Sequence, residues 1–154
     1  MHVTSHRRLL ATPAAIHLYL SRDTSLRTCL PDCDSFSGSL EQGYDFALTR
    51  RIGMFGITFN GRITFSRIEP GVGYVLDVEG SSAVTGSLAA QLKLVLTPRA
   101  RATLLDAEAT FDPPTRMAVL GRDRIAQGFT HGVGNLLDRM KSALEAAPAD
   151  HGPH

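Results

Sequence analysis

The chain has 154 residues and a formal net charge of +1, with 43% hydrophobic and 20% charged residues. This length fits one domain, which we expect to span residues 1–147, followed by a polar, disordered tail at 148–154. The apolar content is enough to build a core and argues against wholesale disorder. The weak net charge argues against a dedicated nucleic-acid-binding protein.

The sequence also disfavours secretion and membrane spanning. No apolar run approaches the ~20 residues that a membrane-spanning helix needs. The basic start of the chain is followed by only three apolar residues, Leu9 to Ala11, before Thr12-Pro13 interrupts them. A signal peptide needs a longer apolar stretch at that point. We therefore expect a cytoplasmic protein.

The two cysteines, Cys29 and Cys33, stand four residues apart. A zinc site would require a second pair or nearby histidines, and the six histidines are scattered along the chain. A disulfide across the intervening proline turn would be uncommon in a cytosolic protein. We expect two reduced thiols, with no metal site and no cofactor.

The first 30 residues predict one strand followed by two short helices. Residues 3–10 form the strand. Thr12 can cap a helix that has Pro13 at its first position, where the missing N–H costs nothing. Asp23 or Thr24 can cap a second helix that ends before Pro31.

Residues 39–111 show a period of two. In the clearest stretch, Ile57, Phe59, Ile63 and Phe65 alternate with polar residues. Short turns separate such stretches, at residues 69–73 for example. The region therefore predicts an antiparallel meander of about six strands, with one face toward the core and the other toward water.

After the sheet, the apolar residues fall at steps of three and four and predict a long amphipathic helix from Ile125 to Leu144. Four glycines lie at or within this helix although each costs about 1 kcal/mol there, which indicates close approach to the sheet or to a bound molecule. They are Gly121, Gly128, Gly132 and Gly134. The order of elements predicts an α+β helix-grip fold, in which a curved antiparallel sheet of about seven strands wraps around the C-terminal helix.

A gap between the sheet and the helix would form a ligand cavity, because such sites need concave apolar walls. The candidate wall residues are Phe46, Phe59, Phe65, Tyr74, Leu92 and Leu94 from the sheet and Ile125, Phe129 and Val133 from the helix. The alternative is that these side chains pack together as a filled core. Periodicity does not distinguish the two arrangements.

The apolar pair Met54-Phe55 breaks the alternation between two glycines and predicts a hairpin tip. If exposed, this tip would enter a membrane interface while Arg50 and Arg51 contact anionic headgroups. The alternative is a hairpin that covers the core, with its arginines in water.

Catalytic motifs are absent from the sequence: it has no nucleophile elbow, phosphate loop or dinucleotide fingerprint. Asp106 and Glu108 share one face of a strand, where a solvated outer face is the better interpretation than an acid–base pair. His131 or Tyr74 would act as an acid–base group only if it pointed into the cavity. The sequence therefore favours a binding protein over an enzyme.

Several short motifs carry a resemblance to a known family. They are Cys29-Leu30-Pro31-Asp32-Cys33-Asp34, Ile52-Gly53, Phe59-Asn60-Gly61, Glu79-Gly80 with Gly86, and Leu120-Gly121-Arg122. In order and spacing they resemble the motifs of the CoxG family of carbon monoxide dehydrogenase, within the START-like superfamily of hydrophobic-ligand-binding domains. The likeness covers residues 3–144. The chain departs from the family in having aspartates in the first motif, and in an arginine displaced to Arg122 or Arg124 in the last.

This resemblance implies a role as well as the helix-grip fold. It implies a non-catalytic accessory or carrier protein that serves a molybdenum hydroxylase of the carbon monoxide dehydrogenase type, at or near the membrane. An isoprenoid quinone or another lipid is the implied ligand, because such an enzyme must pass electrons to the membrane. The alternatives are a START-like polyketide cyclase or dehydratase, and a structural interaction domain with a filled core.

Overall fold

In the computed structural model, which describes residues 1–30, 33–52, 54–83 and 85–146, one strand and three short helical segments precede six further strands and a long helix. The strands are β1 (His2–Leu9), β2 (Cys33–Ser39), β3 (Gly43–Ile52), β4 (Phe55–Glu69), β5 (Gly73–Ser82), β6 (Gly86–Arg99) and β7 (Ala102–Asp112). The helices are α1 (Pro13–Leu20), α2 (Asp23–Leu26) and α3 (Arg122–Ala146), with 3-10 turns at Arg27–Cys29 and Thr115–Leu120. The tail predicted at 148–154 lies outside the described residues.

The strands form one antiparallel sheet in the order β1-β7-β6-β5-β4-β3-β2. Hairpins join β2 through β7 in sequence, whereas β1 pairs with β7 at the far edge. The helices α1 and α2 therefore connect the two edges of the sheet. This arrangement confirms the predicted α+β fold, an open curved seven-stranded sheet with a C-terminal helix.

Local signals explain where the elements begin. The Thr12 hydroxyl accepts a hydrogen bond from the Ala15 amide at 3.1 Å, and Pro13 follows as the first residue of α1. Strand β2 begins at Cys33, before the alternating pattern becomes readable at Ser39, because only Phe36 of its seven residues is buried.

The hydrophobic core lies beneath the C-terminal half of α3. Leu137, Met140 and Leu144 of that half are buried together with Leu9 of β1 and Ile16 of α1. Full burial of one such side chain contributes about 1.5–3 kcal/mol. This end of the helix is therefore held firmly against β1 and α1.

Four aromatic rings cross the core from β2 to β5 in edge-to-face and stacked contacts, with centroids 5.2 to 6.2 Å apart. They are Phe36, Tyr44, Phe65 and Tyr74. The buried Tyr44 hydroxyl donates to the Leu20 carbonyl at 2.6 Å, which ties the sheet to α1. These rings fill the space between the sheet and the helices at this end of the molecule.

We predict that Leu137→Ala lowers the free energy of unfolding by about 2–5 kcal/mol, because Leu137 is 0% exposed and its truncation leaves a cavity. The matched control is Leu18→Ala on α1, where the side chain is 46% exposed and the expected loss is below about 1 kcal/mol. Urea denaturation followed by circular dichroism measures both. Equal losses in the two variants would contradict this placement of the core.

Candidate functional site

A cleft of about 670 Å³ separates the sheet from the first two turns of α3. Its volume falls within the range of about 300–1,000 Å³ that small-molecule sites occupy. We call it the sheet–helix cleft. Its lining residues are Phe46, Leu48, Phe59, Val78, Gly80, Leu88, Ala89, Ala90 and Phe111 from the sheet and Arg124, Ile125, Gly128 and Phe129 from α3.

The floor of the cleft is shaped by one row of residues that are neighbours across four strands. The row consists of Phe46 in β3, Gly61 in β4, Gly80 in β5 and Leu88 in β6. A Cβ atom at Gly61 would lie 2.4 Å from the Phe46 ring and 2.5 Å from the Glu79 carbonyl oxygen, so only glycine fits there. Two adjacent strands present no side chain in this row, and this lowers the floor between Phe46 and Leu88.

The roof of the cleft is the N-terminal part of α3. A Cβ atom at Gly128 would meet no atom within 4 Å, so the helix faces open space at this position. Next to it, the Phe129 ring lies 5.2 Å from the ring of Phe111 in β7. This aromatic contact joins the helix to the sheet along one side of the cleft.

The structure places four of the nine predicted wall residues in the lining, namely Phe46, Phe59, Ile125 and Phe129. Five others contribute to the adjoining core or pack against it: Phe65, Tyr74, Leu92, Leu94 and Val133. The sheet members of this second group face the same side of the sheet, but one or two rows nearer the core. Alternation identifies the face of a strand, whereas the position of α3 decides which rows are covered.

Several residues that shape the cleft were not predicted from the sequence. Gly61 and Gly80 belong to the motifs Phe59-Asn60-Gly61 and Glu79-Gly80, but their pairing depends on the register of β4 and β5. The glycines of α3 were expected to allow close approach, whereas added Cβ atoms at Gly128 and Gly132 would meet nothing within 4 Å. The signal was real at Gly128, but it marks the open side of the cleft.

Arg124 is the single polar side chain in the lining. It lies in the first turn of α3 and is exposed. Within the part of the chain that the structure describes, it makes no hydrogen bond and no ion pair. The cleft therefore combines an apolar interior with one uncompensated cation.

The acid–base candidates lie elsewhere. Tyr74 is buried in the core, its hydroxyl is 2.7 Å from Nδ1 of His17, and burial raises its pKa. His131 is exposed on α3 and is not part of the lining. Asp106 and Glu108 are exposed on the opposite face of the sheet, where they pair with histidines of β1 at 2.5 and 3.2 Å. None of these groups is positioned to act on a molecule in the cleft.

Both cysteines are free thiols. The Cys29 sulfur lies 2.8 Å from the Tyr19 hydroxyl, and burial raises its pKa to about 11. A thiol with this pKa stays protonated at neutral pH and is a poor nucleophile and a poor metal ligand. Across the described ranges, no three metal-ligating side chains come together.

Met54 is the described residue of the predicted membrane tip. It is 92% exposed in the turn between β3 and β4. The side chains of Arg50, Arg51 and Phe55 lie outside the described residues. Of the helices in the described ranges, none has the length and apolar character that crossing a bilayer requires.

Comparison with known proteins gives one family and a common fold. The model of the CoxG family of carbon monoxide dehydrogenase subunits matches residues 7–144. The fold is similar to that of a conserved protein from Geobacillus kaustophilus, with 18% identity, a TM-score of 0.83, and coverage of 96% of this chain and 97% of that one. For a protein from Thermus thermophilus the values are 14%, 0.67, 96% and 99%, and for one from Arthrobacter aurescens 15%, 0.69, 94% and 86%. A search of curated proteins found no match.

We predict that Gly61→Ala lowers the free energy of unfolding by about 1–3 kcal/mol, because its Cβ atom would press on the Phe46 ring and on backbone that cannot yield. Gly56→Ala in the same strand is the control, since its Cβ atom would lie 3.5 Å from the Thr49 methyl group in ordinary contact. Its stability should be unchanged or slightly raised. Thermal and urea unfolding of the two variants measure the difference, and a neutral Gly61→Ala would contradict the close packing of this row.

Proposed function

The chain belongs to the CoxG family of carbon monoxide dehydrogenase, and we propose that it is a non-catalytic carrier that binds a hydrophobic small molecule, a lipid or a quinone, in the sheet–helix cleft. The observation that carries this proposal is the lining of the cleft, in which every side chain but that of Arg124 is apolar. Apolar surface removed from water stabilises a complex by roughly 25 cal/mol per Å². A ligand with an extended apolar portion would gain this energy over the whole floor.

A filled core is disfavoured by the shape of the cleft. Gly61 and Gly80 leave the floor without side chains, and Gly128 leaves the roof open. The residues of the core, by contrast, are almost fully buried a short distance away. The empty space is therefore confined to one region and is not a general looseness of packing.

A cyclase or dehydratase activity has less support. Such an enzyme needs an acid–base side chain at the reacting atoms of its substrate. The lining of the cleft contains no histidine, tyrosine or carboxylate in the described part of the chain. Tyr74, the nearest candidate from the sequence, is enclosed in the core with His17.

Family membership supports a further part of the proposal: the carrier serves a molybdenum hydroxylase of the carbon monoxide dehydrogenase type at the inner face of the membrane. A quinone held in the cleft would accept electrons from such an enzyme and pass to the lipid phase. The exposed Met54 at the tip of the β3–β4 hairpin provides an apolar contact for that surface.

The binding site is tested by Gly128→Leu, which places a side chain in the cleft and improves helix propensity by up to about 1 kcal/mol. We expect titration with a short-chain ubiquinone or with a phospholipid to show loss of binding, while the melting temperature is unchanged or raised. The matched control is Gly132→Leu, one turn further along α3, where the added side chain also meets open space but lies outside the lining. Equal binding by the two variants, or a wild-type protein that binds neither ligand, would contradict the carrier function.

The membrane contact is tested by Met54→Asp in sedimentation with phosphatidylglycerol vesicles. Loss of one inserted apolar side chain should weaken binding by about tenfold. Val72→Asp is the control, because Val72 is a 57% exposed aliphatic residue in the turn between β4 and β5. Identical vesicle binding by the wild type and the Met54 variant would exclude the tip as a membrane contact.

A further inference from the structure

We infer that the ligand of the sheet–helix cleft is an amphiphile with one terminal carboxylate, and that Arg124 binds this group at the mouth of the cleft. This inference rests on the proposed binding function and specifies its ligand class. It assigns to Arg124 the role of selecting an acidic head group, and to the apolar lining the role of binding the tail.

The first argument is the position of Arg124. Its side chain belongs to the lining, while its neighbours Arg122 and Asp123 do not. Those two neighbours carry opposite charges, so they leave the first turn of α3 with the net charge of Arg124. The amino end of a helix adds a partial positive charge of its own. The electrostatic potential at this side of the cleft is therefore positive.

The second argument is the cost of covering the guanidinium group. A neutral ligand that fills the cleft against Arg124 removes water from a cation that has no counter-charge among the described residues. Burying an unpaired charge in this way opposes binding. A carboxylate compensates the cost, because it accepts two parallel N–H···O hydrogen bonds from the planar guanidinium group.

The third argument is the lack of polar side chains deeper in the cleft. Beyond Arg124, the lining side chains of the described chain offer no hydrogen-bonding group. A second polar group on the ligand would be left without a partner, at a cost that disfavours it. The cleft therefore fits a molecule whose polar atoms lie at one end, and a fatty acid has this form.

The experiment is isothermal titration of the full chain with dodecanoate and with dodecan-1-ol, which differ only in the head group. The wild type should bind the acid at least about tenfold more tightly than the alcohol, as expected for hydrogen bonds to charged groups. Arg124→Gln should abolish this preference by weakening binding of the acid alone. Arg122→Gln, which removes a neighbouring arginine outside the lining, should preserve it.

Two failures are distinguishable. If the wild type binds both compounds equally, or if Arg124→Gln keeps the preference for the acid, the inference is overturned. Binding that Gly128→Leu still blocks would then leave the cleft as the site of an uncharged ligand. If the wild type binds neither compound, nor the quinone and phospholipid, the binding function itself is overturned.

Discussion

The anchoring of α3 at one end is the constraint on which the rest of the structure depends. Leu137, Met140 and Leu144 fix the C-terminal half of the helix in the core, against β1 and α1. A helix is stiff, so its N-terminal half is held over the sheet without needing to pack on it along its length. The resulting gap is the sheet–helix cleft. One well-packed end thus maintains an open space at the other.

This division separates stability from binding. The core end contains the buried aromatic rings and the leucines, whose truncation is costly. The cleft end contains glycines and half-buried apolar residues, which contribute less to folding and leave room for another molecule. Substitutions at Gly128 or Arg124 therefore act on binding with little effect on the fold. Gly61 is the exception, because the Phe46 ring and the Glu79 carbonyl occupy the space around it.

The sequence predicted the fold in nearly full detail and the site only in part. Alternation along β4 and the apolar spacing of α3 each depend on local geometry, so both elements were readable from the chain alone. Strand β2 was not, since a polar edge strand with one buried residue shows no alternation. For the site, Phe46 and Phe129 were expected and line the cleft, whereas Phe65 and Tyr74 belong to the core. Telling these pairs apart requires strand register and the tilt of α3, which no local pattern encodes. Arg124 was missed as a lining residue for the same reason.

The central claim is that the cleft holds a hydrophobic molecule. Native mass spectrometry of the purified wild-type protein, with analysis of an organic extract of the same sample for lipids, fatty acids and quinones, tests it most directly. A bound compound in near-stoichiometric amount, released into the extract, is the predicted result. A protein of the mass of the bare chain, which also takes up none of these compounds when they are added, would contradict it.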